Sequence, residues 1–216
     1  MNNEWMSISD MMSGLMLIFL FIAIGFMIEV ESEKETMKEV AISYRDTKAN
    51  LNEALYDEFE NDLDIWNATI DTNNSIVFAS TEVLFGVSSS EINREFQKIL
   101  ADFFPRYIEI LGKNEYKDEV LELRVEGHTS DTWKHSTSKE EIYLKNMQLS
   151  QNRAYNVLSY CYSLNDIIIK QNRPWLQKHL RANGMAFSKL KDNDRARRVE
   201  FSVVLKSESK VYEILK

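Results

Sequence analysis

Residues 120–131 read VLELRVEGHTSD, and the fold turns on them. Leu121, Leu123 and Val125 alternate with Glu122, Arg124 and Glu126, the period-two pattern of a strand with one buried face. The strand runs into Gly127-His128-Thr129-Ser130-Asp131, where polarity and glycine end it. Downstream, NMQLSQNRA at 146–154 opens a helix. Ala154, Val157, Leu158, Cys161, Leu164 and Ile168 line its apolar face, which is expected to end before Pro174. RRVE at 197–200 begins a closing strand, with Val199, Phe201, Val203 and Leu205 alternating. Upstream, Ile92, Phe96, Ile99, Leu100, Phe103, Tyr107 and Leu111 mark an amphipathic helix bent near Pro105. Ile65–Ile70 and Ile76–Phe78 are short strand candidates. Strand and helix signals alternating in this way predict a βαβ-type α/β sandwich over 64–206, followed by a tail at 207–216.

Further upstream, neither Gly nor Pro occurs between Gly25 and Gly86, so nothing breaks a helix there. Met37, Val40, Ala41, Tyr44, Leu51, Leu55 and Phe59 keep a rough helical period, interrupted at Thr47 and Lys48. Residues 29–63 therefore read as a helical stalk of about 50 Å. Before it, residues 11–28 read MMSGLMLIFLFIAIGFMI, eighteen residues without a charge. Extended back to Trp5 the helix is about 36 Å long, enough to cross a ~30 Å hydrocarbon layer with tilt. A cleaved signal peptide would need Lys or Arg before the apolar run and a small-x-small site after it, and neither is present. Residues 1–28 are thus expected to anchor the chain in membrane lipid, giving an α+β protein with one N-terminal transmembrane helix. Lys34 and Lys38 follow the span and no basic residue precedes it, so charge alone leaves the orientation undecided.

Asp10 stands out in this segment. A carboxylate at the centre of a membrane costs roughly 2.5–3.5 kcal/mol, so intramembrane acids tend to mark ion or proton paths. The bland reading is an N-cap at the interface, where the charge suits the helix dipole. Ser13 and Gly14 lie on the same helical face as Asp10 and, with Ser9, form a small-residue stripe permitting close helix packing. Leu17 and Phe21 continue that face, while Trp5, Met6 and Ile8 carry apolar character outward. These features favour the ion path.

Composition excludes several classes. A net charge of −8 offers no basic surplus for displacing phosphate counterions, which argues against nucleic acid. A single cysteine, Cys161, rules out an internal disulfide and a thiolate zinc site, and reads as a buried apolar residue. His128, His135 and His179 lack metal-ligand spacing, so neither metal nor cofactor is expected. The Gly-His-Thr-Ser-Asp run has no GxSxG elbow, so catalysis is not expected either.

The three strings GHTSD, NMQLSQNRA and RRVE, in this order, resemble the OmpA-like peptidoglycan-binding domain, over about two thirds of the chain. The resemblance implies that Arg153 holds the carboxylate of the diaminopimelate end of a wall stem peptide, with Thr129, Asn146 and Leu149 as flanking contacts. A guanidinium fork suits a carboxylate, and a carboxylate suits the ammonium. Ser130 stands where the family has its aspartate, and Asp131 one place later is the expected acid, the 131–145 segment being longer than usual. Ala196 also replaces the family's asparagine.

A transmembrane helix with one early acid before such a domain is the architecture of MotB-type stator subunits. The string from Trp5 to Met16, WMSISDMMSGLM, is similar to that of the ZorB branch of Zorya antiphage systems. The resemblance implies an inner-membrane protein with a cytoplasmic tail at 1–4 and a periplasmic domain. It further implies a dimer inserted in a pentameric MotA/ZorA-like ring, with Asp10 binding and releasing an ion, expected to be a proton. A flagellar MotB-like stator and a static membrane-to-wall tether remain the alternatives.

Overall fold

The computed structural model describes residues 2–79, 84–86, 89–133, 138–189 and 196–209, with side chains from residue 9 onward. The side chains of Trp5, Met6 and Ile8, together with His135 and the tail from 210, lie outside the described residues.

A single helix, α1, runs from Asn2 to Trp66, 65 residues or roughly 100 Å. The absence of Gly and Pro after Gly25 lets the hydrogen-bond ladder pass unbroken from the apolar segment into the acidic one. From Ser9 this helix is long and apolar enough to cross a membrane, and the apolar window is fully exposed within the chain. Its far end is not a free stalk: Leu51, Leu55 and Phe59 are fully buried in the core of the domain. The helix ends where Asn67 takes a left-handed conformation (φ 50°), which turns the chain into β1 (Ala68–Ile70). The strand expected from Ile65 therefore starts three residues later, since Ile65 and Trp66 are helical.

β2 (Ile76–Phe78) pairs antiparallel with β1 through a turn that is fastened to α1. Asn52 Nδ2 donates to Asp71 O at 3.0 Å and to Asn74 Oδ1 at 2.8 Å, and Tyr56 Oη donates to Ile70 O at 2.9 Å. Next come α2 (Arg94–Leu111) and the short α3 (Asn114–Lys117), then β3 (Val120–Gly127). α4 (Lys139–Ser163), α5 (Ile167–His179), β4 (Leu180–Gly184) and β5 (Val199–Leu205) complete the domain. The sheet order is β1-β2-β5-β3-β4. β3 and β4 are parallel with α4 and α5 between them, and β3–β5 and β5–β2 are antiparallel. The expected α/β domain with a βαβ unit is what forms.

Three local expectations are corrected. The alternation in β3 is shifted by an irregularity between Val120 and Glu122, so Val120 is buried and Leu121 is exposed. The helix expected through Ile168 is two helices: the chain leaves α4 at Leu164, and Asp166 caps α5 by accepting from Ile168 N at 2.7 Å. Pro174 lies inside α5 rather than beyond a helix end, as Pro105 lies inside α2.

The core is aromatic. Phe103 is its hub, with ring centroids of Phe59, Phe78, Tyr107 and Phe201 at 5.0–5.3 Å. Arg106 of α2 locks α1 to this core. Its guanidinium meets Glu58 at 2.7 Å and Asp62 at 2.9 Å and lies 4.9 Å above the Phe59 ring.

Candidate functional site

Two glycines set the geometry. Gly127 and Gly184 are opposite each other on β3 and β4, and α4 crosses directly over both. A Cβ on Gly127 would lie 2.2 Å from Ser150 O, and one on Gly184 would lie 2.7 Å from Gln151 N. The helix can approach this closely only where side chains are absent. Ser150 and Gln151 then fasten it: Ser150 Oγ accepts from Ala186 N at 3.0 Å, and Gln151 Oε1 accepts from Gly184 N at 2.7 Å. Thr129 N donates to Ala186 O at 2.8 Å, so the segments after β3 and β4 are held side by side. The GHT and LSxxRA strings are thus two sides of one clasp.

Arg153 sits one turn beyond Ser150 and is only 4% exposed. Its Nε donates to Ser89 O at 2.9 Å, and its guanidinium lies 4.8 Å above the Phe85 ring. Asn156, one turn on, donates to Ser90 O at 2.8 Å and holds the same segment. Burial, and then the charge of Arg197, push the Arg153 guanidinium down to about 10. Among the described residues no carboxylate pairs with it. A buried cation in this state is costly and is suited to receiving an anion.

The other predicted residues fall around this point unequally. Thr129 is buried, its hydroxyl without a partner among the described residues. Asn146 is buried and donates to Ile142 O of its own helix at 3.0 Å, and Leu149 is half-buried. Asp131 is exposed and has no hydrogen bond or ion pair among the described residues. Ser130 is half-buried, and its Oγ accepts from Arg197 Nε at 3.4 Å. Among the described residues nothing links Asp131, exposed as it is, to Arg153.

Phe85, Ser89 and Arg197 were not anticipated as site residues. Arg197 was visible in the RRVE string, but the segment holding Phe85 and Ser89 has no pattern that separates it from any loop.

The opposite sheet face carries a buried charge network beside the site. Glu126 and Glu200 are cross-strand partners, with His128 Nε2 at 3.6 and 3.7 Å from their carboxylates. Arg198 pairs with Glu200, and Lys189 Nζ meets Glu126 at 3.2 Å. Burial pushes the Glu126 carboxyl up, but contacts from His128 and Lys189 outweigh it and hold it below its ordinary value. Burial pushes the His128 imidazole down, Arg198 adds to this, and the two glutamates only partly offset it. The Glu126, His128 and Glu200 donors lie within 4.8 Å of one another, as metal ligands would. Both carboxylates are already neutralised by cations, so a dication would enter beside Lys189 and Arg198 at an electrostatic cost.

Asp10 lies inside α1, eight residues past Asn2, rather than at the first residue of the helix. Ser13 Oγ donates to Ser9 O at 2.8 Å, one turn back. Asp10, Ser13, Gly14, Leu17 and Phe21 are all exposed on the helix surface.

No family model matches the chain. Among solved structures, the cell wall anchor of the T6SS from Pseudomonas aeruginosa is similar at 18% identity and a TM-score of 0.47, over 70% of this chain and 97% of that one. The periplasmic domain of Helicobacter pylori MotB is similar at 21% identity and a TM-score of 0.41, over 68% and 95%. Among curated proteins, the Zorya protein ZorB of Escherichia coli (strain ATCC 8739, Crooks) is 39% identical over 222 residues, covering 99% of this chain and 93% of its own length. With an apolar helix running unbroken into an α/β domain, and kinship at that level over nearly the whole chain, the protein belongs to the ZorB family.

Proposed function

We propose that the chain is the ion-translocating, wall-anchored stator subunit of a MotA/MotB-type membrane motor serving antiphage defence. The observation that carries this reading is the single helix α1: it joins Asp10, set in an apolar membrane-length segment, to the domain core at Leu51, Leu55 and Phe59 without a break. Force or rotation at one end would reach the other through a continuous ladder of backbone hydrogen bonds. The helix crosses the inner membrane once, with the N-terminus in the cytoplasm and the domain in the periplasm. Two copies insert their helices into a pentameric ring of a MotA/ZorA-like partner. The Ser13 and Gly14 side of each helix faces that partner, so Asp10 points at protein rather than lipid. One carboxylate with few oxygen neighbours coordinates sodium poorly, so the ion is a proton.

At the other end the Arg153 site holds peptidoglycan by a carboxylate of the stem peptide. Thr129, Asn146 and Leu149 line it, with Asp131, exposed two residues past Thr129, as its acid. Retention on purified sacculi tests this half of the proposal. The full chain in detergent should sediment with sacculi, and Arg153→Ala should release it, because losing one partner of a buried charged pair costs on the order of 2–5 kcal/mol. Equal retention of the two proteins would remove Arg153 from the site.

A further inference from the structure

Arg153 is a charged side chain set almost wholly inside the protein, and among the described residues no carboxylate pairs with it. What holds it is one segment of chain. Arg153 Nε donates to Ser89 O at 2.9 Å, and Asn156 Nδ2, one turn along α4, donates to Ser90 O at 2.8 Å. Two consecutive carbonyls are thus gripped from one face of the helix. The Phe85 ring lies 4.8 Å from the guanidinium carbon, is itself buried, and meets Phe96 in an edge contact at 6.0 Å. The segment is closed at its base by the bridge between Phe85 and Ile92 and by Asn93 N donating to Leu84 O at 3.0 Å. These contacts leave the ring no room to turn away. Among the described residues, Nε is the one guanidinium nitrogen of Arg153 that makes a hydrogen bond.

We infer that Phe85 is a positioning residue for ligand binding: its π face and the Ser89 carbonyl hold the Arg153 guanidinium in place of an acid, leaving both terminal nitrogens for the ligand. The inference rests on the wall-anchoring proposal and names what aims its cation. A carboxylate set against Arg153 would take the fork in paired N–H bonds and would repel a carboxylate on the ligand. An aromatic face attracts the same charge while carrying no net charge of its own, and more strongly once water is excluded. With that attraction removed, the guanidinium regains hydration by swinging outward. Only the fraction of molecules that keep it in place then binds, and the apparent Kd rises accordingly.

The test is calorimetric titration of the detergent-solubilised full chain with a synthetic stem peptide ending in diaminopimelate. Wild type is compared with chains carrying a singly or a triply fluorinated phenylalanine at position 85, and with Phe85→Leu. Fluorination keeps the shape and apolar packing of the ring but drains the negative charge from its face, so a merely structural role would leave Kd unmoved. The triply fluorinated ring should weaken binding by about fivefold, with the singly fluorinated ring between it and wild type. Phe85→Leu, apolar but without a π face, should bind no more tightly than the triply fluorinated chain. Should Phe85→Leu fail to fold, the fluorinated rings alone decide. A Kd unchanged or lowered across the fluorinated rings would overturn the inference while leaving wall binding intact, because Phe85 would then serve packing alone. Wild-type affinity in a folded Phe85→Leu would overturn it as well. A wild-type chain binding neither the peptide nor sacculi would overturn the wall-anchoring proposal, and the inference with it.

Discussion

Gly127→Ala should loosen the whole site from a position that touches no ligand. The new Cβ would lie 2.2 Å from Ser150 O, 3.1 Å from Ser150 C and 3.3 Å from Ala154 N. All three are backbone atoms of α4, so no side chain can rotate away, and ordinary contact begins near 3.4 Å. The helix must therefore retreat by about 1 Å, against hydrogen bonds from Ala186 and Gly184 that hold it in place. Overpacking of this kind costs roughly 1–3 kcal/mol, and the upper end applies because the conflict is backbone against backbone. At about 2–4 °C per kcal/mol for a domain of this size, the melting temperature should fall by roughly 6–12 °C. Arg153 moves with α4, so retention on sacculi should fall even at temperatures where the variant is fully folded. Circular dichroism melts of the full chain, at fixed protein and detergent concentrations, measure the first effect and sedimentation with sacculi the second. A variant melting within about 2 °C of wild type would refute the close crossing of α4 over β3.

Other outcomes follow from the same structure. Phe59→Ala should destabilise the domain by about 3–5 kcal/mol, since a buried ring in the aromatic core is lost; a surface-like cost under about 0.5 kcal/mol, measured by urea denaturation, would mean that the end of α1 is a free stalk. Acid should weaken the domain. Burial lowers the His128 imidazole, so the unfolded chain takes up a proton from pH 6.5 downward before the native chain does, and stability falls as pH falls; lowered Glu126 adds the same sign below about pH 4.5. Melting temperature should drop from pH 7.5 to 5, less steeply in His128→Asn, and a flat or rising profile would contradict the buried network.

Much of this fold is legible in the residues. β3 and β5 show because one face of each is buried, so period two survives in the sequence. Leu121 misleads because the irregularity after Val120 resets that period by one residue, which depends on pairing with β5 and not on local preference. The break at Leu164 is hidden because Ile168 continues the apolar face across it, and only Asp166 signals a new N-terminus. β4, Leu-Arg-Ala-Asn-Gly, carries no alternation; parallel pairing to β3 makes it a strand. The stripe at Leu51, Leu55 and Phe59 was visible, but whether it meets a second helix or the chain's own core is a tertiary fact. In the site, Arg153 is legible from its motif. The exposure of Asp131 is not, because where a side chain points past the end of β3 is set by tertiary packing.

The central claim is that Asp10 carries an ion through the membrane for a motor anchored at the wall. Its most direct test is proton flux through the complex with its MotA/ZorA-like partner, reconstituted in liposomes under a pH gradient and a membrane potential. Wild type should conduct. Asp10→Asn, nearly isosteric and unable to take and release a proton, should assemble to the same abundance and conduct no more than empty liposomes. Equal flux through wild-type and Asp10→Asn complexes would contradict the account and leave a static membrane-to-wall tether.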